Sequence, residues 1–319
     1  MKNHYQKIDL DVMRPPNFLK NIKKRNDYIL RKIKQKNGFA RVRRCPICKS
    51  KSYSECFVSY QIPMLRCLDC KVVFSGMIAK ELKDIYGGKD YLRIAKKAYL
   101  TQVNYRVERF ATERINLLKS TGKIKGKKLI DIGCGTGWFL KAAISKGIVC
   151  EGLEYSPYLA NHTSKNLGIS IYKDLKEIPK NSKYDFITMF DLIEHLEYPV
   201  DYIRYLKEHL VPDGKILIFT PNFDSFAISY AKENSNLITP FEHLIYFNNQ
   251  SMVRLAKLLN MKVDWFETKG LDMGDLSSYF EWAEQIKMAK LFRDTADIIQ
   301  PILDSIGFSN HMRFMLSKR

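Results

Sequence analysis

Short apolar runs alternate with helical patterns over residues 127–318. Runs rich in Ile, Val and Phe predict buried strands, whereas apolar residues that recur every three or four positions predict helices. Alternation of the two predicts right-handed βαβ units, and therefore an α/β fold with a mainly parallel sheet. The pattern also predicts a turn at residues 212–214 and a long helical stretch at about 277–303. The predicted strands are KKLIDI, IVCEGLE, ISIYKD, YDFITMF, KILIFTPN, KVDWFET and HMRFMLSK.

The first 120 residues follow three other patterns. Residues 17–38 place apolar side chains at helical spacing among Lys and Arg, which predicts a basic amphipathic helix. Residues 41–75 hold four cysteines and short β-prone pieces, which predicts a compact cysteine-centred module. Residues 79–120 return to helical patterning. The tyrosines interspersed in that stretch are Tyr86, Tyr91, Tyr99 and Tyr105.

A chain of 319 residues exceeds the usual size of one domain, about 100 to 200 residues, so we expect more than one structural unit. The patterns divide it into a basic helical segment at 1–40, a small metal-binding module at 41–78 and an α/β domain at 79–319. We expect helical lid elements of the α/β domain at about 79–120 and 275–303.

The positive charge of the chain is concentrated at its N-terminus. The formal net charge is +19, and residues 1–51 hold sixteen Lys and Arg against three acidic residues. Such a segment can attract nucleic acid, an anionic membrane face or a phosphorylated substrate. A solvated, lysine-rich surface explains the same excess, so charge alone leaves the function open.

The hydropathy of the chain predicts a cytoplasmic protein. No stretch approaches the roughly 18 consecutive apolar residues that a membrane-spanning helix needs. The first sixteen residues, MKNHYQKIDLDVMRPP, lack the apolar centre of a signal peptide.

Two C-x2-C pairs, Cys45 with Cys48 and Cys67 with Cys70, are separated by 18 residues. Each pair can form a tight turn that directs two thiolates at one ion, and two such turns complete a tetrahedral site that suits Zn(II). An iron site of the same geometry is the alternative. Four protein ligands leave no position for substrate, so we expect a structural metal. The cysteines outside the pattern, interpreted as buried small apolar side chains, are Cys56, Cys134 and Cys150.

A glycine-rich turn follows the first predicted strand of the α/β region, in LIDIGCGTGWFL. Gly133, Gly135 and Gly137 allow the backbone to turn tightly and to approach a ligand over a helix N-terminus. Asp131 stands just before the first glycine, and Glu154 ends the next strand, where a carboxylate can bind two ribose hydroxyls. An acid beside the turn suits a ligand that carries an ammonium and a sulfonium better than it suits a pyrophosphate.

Four segments in this order resemble the motifs of class I S-adenosylmethionine-dependent methyltransferases: DIGCGTGWFL, GLEYSP, YDFITMFDLIEHLEYP and LVPDGKILIFTPN. The resemblance covers about residues 100–265. The later FEHLIYFNNQSMVRLAKLL is similar to a segment of the branch that includes ubiquinone-type O-methyltransferases and glycan-cluster methyltransferases. The cysteine module resembles the zinc-binding N-terminal domain of sugar C-methyltransferases.

The resemblance implies a Rossmann-like sheet of seven strands with helices on both faces, the first five strands parallel and the last reversed. It also implies that S-adenosylmethionine (SAM) binds over the glycine turn. Asp131, Gly133 and Gly135 would hold the methionine part, and Glu154 the ribose, in a crevice formed by the turn from Gly133 to Gly137. The remaining implied contacts are Asp174 near the adenine, and Phe190 and Asp191 as walls of the pocket.

Transfer of a methyl group to oxygen or carbon requires a base that removes a proton from the acceptor. His195 follows the fourth strand, and His243 lies in the loop after the fifth strand, at the edge where open α/β sheets bind ligands. His243 is the preferred candidate because a histidine titrates near neutral pH. Glu242 is the alternative base, and Tyr246 is a candidate orienting hydroxyl. Tyr86 and Tyr91 are candidates to close over the acceptor.

The leading hypothesis is an enzyme that methylates a hydroxyl or carbon of a small metabolite, activated sugar or glycan precursor. The main alternative is an RNA methyltransferase that uses the zinc module and the basic N-terminus to bind phosphates. The chain lacks the Asn/Asp-Pro-Pro-aromatic motif of enzymes that methylate base amines, and it lacks a catalytic cysteine motif for pyrimidine carbons. A non-catalytic binding protein is a third alternative.

Overall fold

A computed structural model of the chain describes residues 8–35, 38–80, 105 and 107–319. Within these residues the chain forms a central seven-stranded sheet, a four-stranded sheet and a two-stranded sheet. In chain order the strands are β1 (Phe39–Arg41), β2 (Tyr53–Ser59), β3 (Ile62–Cys67), β4 (Val73–Ser75), β5 (Met77–Ala79), β6 (Lys128–Ile132), β7 (Val149–Leu153), β8 (Ile171–Tyr172), β9 (Tyr184–Phe190), β10 (Leu210–Pro221), β11 (Ile245–Tyr246), β12 (Met261–Thr268) and β13 (His311–Lys318).

Most of the helices connect successive strands of the central sheet along the chain. In chain order they are α1 (Leu10–Met13), α2 (Phe18–Gln35), α3 (Thr112–Lys119), α4 (Trp138–Ser145), α5 (Pro157–Leu167), α6 (Pro199–Glu208), α7 (Phe226–Ala231), α8 (Asn249–Leu258), α9 (Asp272–Trp282), α10 (Ile286–Asp294) and α11 (Ala296–Ser305). A π-helical turn at Val107–Ala111 leads into α3.

The central sheet has the strand order β12-β13-β10-β9-β6-β7-β8. Strands β6 to β10 run parallel to their neighbours among themselves, and β13 runs antiparallel to both β10 and β12. The predicted α/β fold is therefore confirmed, including the reversed last strand. The order changes direction between β6 and β9, and the glycine turn follows β6 at this position, where open α/β sheets bind ligands.

Both faces of the central sheet are covered, and strand β6 shows why its sequence is a continuous apolar run. Ile130 and Ile132 belong to an apolar cluster that includes residues of α6 and α8. Leu129 points to the other face, into a cluster with residues of α3 and α4. Because successive side chains of a strand alternate between faces, a strand buried on both sides needs apolar residues at both parities.

The cysteine module is completed by a strand from the α/β region. Its sheet has the order β11-β4-β3-β2, and β11 pairs antiparallel with β4 through Ile245 opposite Phe74 and Tyr246 opposite Val73. Three of the cysteines, Cys45, Cys67 and Cys70, lie with Phe74 in the same apolar cluster as Ile130 of the central sheet. The sheet of the module thus crosses the boundary expected at residue 78, and the division into three segments stays a prediction.

The predicted basic amphipathic helix is α2. Its buried side includes Ile29, Leu30 and Ile33, which pack with Ile62 of strand β3 and with Phe241. The apolar stripe of this helix therefore packs against the protein, and many of its Lys and Arg side chains face outward.

Two local predictions are wrong. Residues 212–214 lie within strand β10 at an irregularity between Leu210 and Lys215, so the expected turn is a bulge in a continuous strand. Residues 77–79 form β5, which pairs with β1, although helical patterning was expected from residue 79. The helical stretch expected at about 277–303 is confirmed, as three helices, α9 to α11, which are interrupted where Glu284 adopts a positive φ of 61° and again at Thr295.

Most of the predicted helical lid at 79–120 lies outside the described residues, as do Tyr86, Tyr91 and Tyr99. No helix in the described part of the chain is long and apolar enough to cross a bilayer.

A buried ionic cluster ties helix α3 to the edge of the central sheet. The Glu113 carboxylate accepts hydrogen bonds from Lys269 Nζ at 2.5 Å and from Arg313 Nη1 of β13 at 2.8 Å. Burial by itself raises the pKa of Glu113, but Arg313 and Lys269 outweigh that effect and lower the pKa to about 2. The folded state therefore favours the ionised carboxylate more strongly than the unfolded chain does.

We predict that Glu113→Gln destabilises the protein by about 3 kcal/mol at pH 7, because a carboxylate with a depressed pKa adds stability above its unfolded pKa. In the wild type this contribution is lost as the pH falls from about 4.5 toward 2, and the variant should lack that loss. Urea unfolding at pH 7, 4 and 3 measures both effects, with the exposed Glu108→Gln as control. Equal unfolding free energies for wild type and Glu113→Gln would contradict the prediction.

Candidate functional site

The glycine turn after β6 leaves open space in front of its backbone. Gly133, Gly135 and Gly137 have φ angles of 75°, 53° and 71°, a region that favours glycine. A Cβ added to Gly135 would meet nothing within 4 Å, whereas one added to Gly137 would lie 2.5 Å from a methyl carbon of Thr163. Gly137 is therefore needed for packing against α5, and Gly135 faces a free space that a ligand can enter.

The Glu154 side chain is directed at this turn. Its carboxylate oxygens accept hydrogen bonds from the Gly135 amide at 2.9 Å and from the Ser156 amide at 2.8 Å. Burial raises the pKa of Glu154, and the two amide hydrogen bonds partly offset that effect. Two neighbouring strand ends, β6 and β7, thus place a carboxylate beside the open glycine turn, as the sequence predicted.

Asp131 ends up inside the protein, on the strand that leads into the turn. It accepts a hydrogen bond from Thr188 Oγ1 of β9 at 2.6 Å. Burial raises its pKa to about 7, against the opposing effects of Thr188 and Arg114. A buried carboxyl of this kind gains from a nearby cation, because a positive charge restores its ionised form.

Arg114 of helix α3 is a residue of this site that sequence reasoning missed. Its guanidinium carbon lies 3.8 Å from the centre of the Phe190 ring and 4.4 Å from that of Trp138. The same side chain is 3.9 Å from Asp191 and lies close enough to influence the pKa of Asp131. An arginine within the apolar face of a helix was the available signal, because arginine is rarely buried without a partner.

Asp191 and Asp174 occupy opposite sides of the strand-end region. Asp191, at a φ of 54°, is 3.1 Å from Nε2 of His311 at the start of β13. Asp174 caps a short helical turn by accepting from the Lys176 amide, and it also accepts from the Tyr155 hydroxyl at 3.0 Å. Asp174 therefore has a local structural function, and its predicted contact with adenine stays a prediction.

His195 and His243 lie together, with ring centres 4.7 Å apart in an edge-to-face arrangement. His195 Nδ1 is 2.9 Å from the Glu242 carbonyl oxygen, and His243 Nδ1 is 2.9 Å from the Leu237 carbonyl oxygen. A carbonyl oxygen can only accept, so each Nδ1 carries the proton and each neutral ring keeps Nε2 as an acceptor. Two proton acceptors are thus fixed side by side.

The pKa of each histidine lies below the ordinary value of a histidine, whereas a pKa near neutral was expected for His243. Burial lowers the pKa of both rings, and the neighbouring His195 helps to bring the pKa of His243 down to about 3. Both imidazoles are consequently neutral under physiological conditions, which is the form that accepts a proton.

Glu194 forms a cluster with the two histidines. Its carboxylate is buried and accepts from Thr220 Oγ1 of β10 at 3.0 Å, and burial holds its pKa well above its usual range. Glu194, His195 and His243 each offer one ligand atom, and these atoms lie within 4.8 Å of one another. One carboxylate and two neutral imidazoles at this separation could hold a divalent cation.

Glu242, the alternative base, is engaged by the N-terminal helix. Arg25 of α2 donates to both of its carboxylate oxygens, Nη1 to Oε2 at 2.8 Å and Nη2 to Oε1 at 2.5 Å. Tyr246 is also committed locally, since its hydroxyl accepts from the Thr239 amide at 2.9 Å. These contacts make Glu242 and Tyr246 supports of the loop that carries His243, while His243 keeps a free acceptor atom.

The four cysteines of the paired C-x2-C motif come together in the cysteine module. The sulfur atoms of Cys45 and Cys70 are 3.5 Å apart, as are those of Cys48 and Cys67, and all four lie within 4.8 Å of one another. These separations are too long for disulfides and suit four thiolates around one ion. Of the other cysteines, Cys134 and Cys150 are buried as predicted, whereas Cys56 is exposed, so that part of the prediction is wrong.

The chain belongs to the methyltransferase domain family, whose family model matches residues 102–264. Among curated proteins it is 26% identical over 175 residues to a ubiquinone biosynthesis O-methyltransferase of Coxiella burnetii, covering 51% of this chain and 71% of the relative. A mitochondrial enzyme of the same name from Schizosaccharomyces pombe is 23% identical over 152 residues, which cover 45% of this chain and 52% of the relative. The protein is a SAM-dependent methyltransferase.

Solved structures show the same fold at low sequence identity. Magnesium protoporphyrin IX methyltransferase from Synechocystis PCC 6803 has a TM-score of 0.50 and 11% identity, over 75% of this chain and 98% of that structure. The plantazolicin methyltransferase BpumL has a TM-score of 0.50 and 14% identity, over 75% of this chain and 94% of that structure. These similarities support the Rossmann-like assignment of the central sheet.

We predict that the His243 ring stays neutral, with the proton on Nδ1, down to pH 5 in protein without added divalent metal, and that the pKa of His195 also lies below its ordinary value. The unfolded chain binds protons below about pH 6.5 that these rings do not bind, so stability should fall with decreasing pH in that range. Nitrogen-15 NMR of the imidazoles measures the protonation state directly. A titration midpoint of His243 near 6.5 would refute the prediction.

Proposed function

We propose that the protein transfers the methyl group of SAM to a hydroxyl or carbon of a small molecule. The observation that carries this proposal is the neutral His195–His243 pair, fixed beyond the end of the strand next to the glycine turn. Leu192, three residues before His195, would lie 3.2 Å from a Cβ on Gly133, so the two features adjoin each other. Proton acceptors beside a methyl-donor site suit acceptors that must lose a proton.

The cofactor would bind over the glycine turn, with its ribose hydroxyls on Glu154 and its ammonium near Asp131. The opening in front of Gly135 and the raised pKa of buried Asp131 support this arrangement. Phe190 and Asp191 would form the wall of the pocket. Arg114 is a further candidate, as the partner of the SAM carboxylate. SAM supplies a methyl group on a positively charged sulfur, and the residues around it exclude water and orient the acceptor.

Catalysis would rest on His243, and His195 is the alternative candidate for the base. The Leu237 carbonyl fixes the His243 tautomer, so Nε2 is the atom that would take the proton of the acceptor. The half-buried neutral ring needs no prior deprotonation at pH 7, but its lowered pKa also makes it a weaker base than an ordinary histidine. Loss of the positive charge on sulfur during transfer favours a water-poor site of this type.

The small-molecule class is supported by the curated relatives, which are ubiquinone biosynthesis O-methyltransferases. A hydroxyl acceptor is therefore the first choice and a carbon acceptor the second, with activated sugars included. The four cysteines would hold one structural Zn(II), because four thiolates leave no open coordination position. We further propose a cytoplasmic location.

We predict that binding of SAM depends on Gly135 and Glu154. Gly135→Val would fill the open space before the turn, and Glu154→Ala should weaken binding by about 1 to 3 kcal/mol through loss of the ribose contacts. Isothermal calorimetry measures both. Gly168→Val is the matched control, since Gly168 has a similar φ of 65° and open space but caps helix α5. Unchanged affinity for SAM in both site variants would contradict the assignment of the SAM site to Gly135 and Glu154.

We predict one zinc per chain in the cysteine module. Cys45→Ser should lose the metal and destabilise the module, because metal binding supplies much of the folding free energy of such sites. The exposed Cys56→Ser should retain metal and stability. Elemental analysis and thermal unfolding are the measurements, and a metal-free wild type with an equally stable Cys45→Ser variant would exclude the site.

The function itself is tested with methyl-labelled SAM and a fractionated cell extract. We predict that wild-type protein labels the small-molecule fraction and that His243→Ala lowers the rate about 100- to 10,000-fold, the usual loss for a general base. Affinity for SAM should stay near the wild-type value. His162→Ala, on helix α5, is the control histidine. Label in RNA would favour the alternative hypothesis of an RNA methyltransferase. Full activity of His243→Ala would exclude His243 as the base.

A further inference from the structure

The loop that carries the proposed base is held from three sides. We name residues 237–246 the histidine loop. From the central sheet, the Glu194 carbonyl accepts from the Leu244 amide at 2.8 Å, and from the cysteine module, the Ser75 amide donates to the Leu244 carbonyl at 2.9 Å. The third side is helix α2, which is far from the histidine loop in sequence and outside the matched methyltransferase region.

Helix α2 contacts the histidine loop through one ion pair and one apolar patch. The bidentate pair of Arg25 with Glu242 involves a carboxylate whose side chain is only 7% exposed. Beside it, Asn26 donates to the Tyr60 hydroxyl at 3.1 Å, and the Tyr60 ring packs edge-to-face on Phe241 at 5.5 Å. The helix thus contacts Glu242 directly, and Phe241 lies in one apolar cluster with Ile29, Leu30 and Ile33 of the helix.

The Arg25–Glu242 ion pair can fix the positions of both histidine rings through the backbone of the histidine loop. The Glu242 carbonyl is the acceptor for His195 Nδ1, and the amides of Glu242 and His243 both donate to the Thr239 carbonyl at 2.8 Å. A shift of Glu242 would therefore move the partner of one ring and the backbone of the other. Planar guanidinium and carboxylate groups joined by two bonds also fix orientation, which a single bond does not.

We infer that Arg25 is a positioning residue for methyl transfer, which acts by fixing Glu242 and with it the relative placement of His195 and His243. The inference rests on the proposed function of the histidine pair and adds a residue from outside the methyltransferase region. It assigns the basic N-terminal helix to the acceptor side of the active site. Arg25 acts through Glu242 and needs no contact with substrate.

The test compares Arg25→Lys and Arg25→Ala with wild type. Lysine keeps the charge but loses the two-pronged geometry. We expect the maximal rate with the labelled small-molecule fraction to fall several-fold for Arg25→Lys and about 10- to 100-fold for Arg25→Ala, since misplacement by about 1 Å can cost 100-fold. Affinity for SAM should change less than two-fold. Arg31→Ala, exposed on the same helix, should match wild type.

A double-variant cycle shows whether Arg25 acts through Glu242. If it does, Arg25→Ala combined with Glu242→Ala should be no slower than the slower single variant, because the two side chains work as one unit. Losses that multiply in the double variant would overturn the inference. So would rates of Arg25→Lys and Arg25→Ala equal to wild type.

Hydrogen exchange gives a readout that does not depend on the acceptor. Arg25→Lys should speed amide exchange at residues 239 and 241–244 by several-fold. Amide exchange in β6 and β9 should stay unchanged. A purely structural role predicts faster exchange throughout the sheet together with weaker SAM binding, and that result would overturn the inference. If wild-type protein transfers no label, the proposed function fails, whereas local exchange still reports whether Arg25 fixes the histidine loop.

Discussion

The pairing of β11 with β4 is the interaction on which the arrangement of the site depends. It joins a sheet built around four cysteines to the loop that carries His243, through Ile245 and Tyr246. A two-residue strand has too few hydrogen bonds to be stable alone, so its position is set by the module that it completes. Stability of the cysteine module and geometry at the strand ends are therefore coupled by direct backbone contacts.

Burial of ionisable groups gives this site its chemical character. The strand-end region holds two buried carboxyl groups, Asp131 and Glu194, and two histidines, His195 and His243. Burial raises the pKa of each carboxyl group and lowers the pKa of each histidine, so it favours the neutral form of all four. Such groups respond strongly to an added charge, because the low-polarity surroundings screen it weakly. A cationic ligand beside Asp131 and proton acceptors at the histidines are both consistent with this environment.

The N-terminal charge has a more specific role than its size indicates. Arg14 of the N-terminal region pairs with buried Asp275 of α9, and Arg25 pairs with Glu242. Lys23 donates to Asn234 at 3.0 Å and lies over the Trp282 ring. Part of the basic excess thus connects the first 35 residues to the α/β region, so net charge by itself is a poor guide to a nucleic-acid partner.

The sequence by itself determined the architecture, because burial on both faces of a parallel sheet requires apolar runs such as YDFITMF and glycines at the turn that follows β6. It also placed Glu154 beside the turn and the four cysteines in one cluster, since these depend on local spacing. Local pattern failed at residues 212–214, because β10 pairs with β9 at Leu210 and again from Lys215 onward, which keeps a Pro-Asp-Gly sequence inside one strand.

Only the tertiary structure decided how distant segments meet. Strand β11 joins the cysteine module, Arg25 reaches Glu242 across more than 200 residues, and Arg114 packs under Phe190. It also decided the pKa of both histidines, which burial lowers, with a further lowering of the His243 pKa by the neighbouring His195. Periodicity records which residues are buried, whereas the partner of each buried charge depends on how the elements pack in three dimensions.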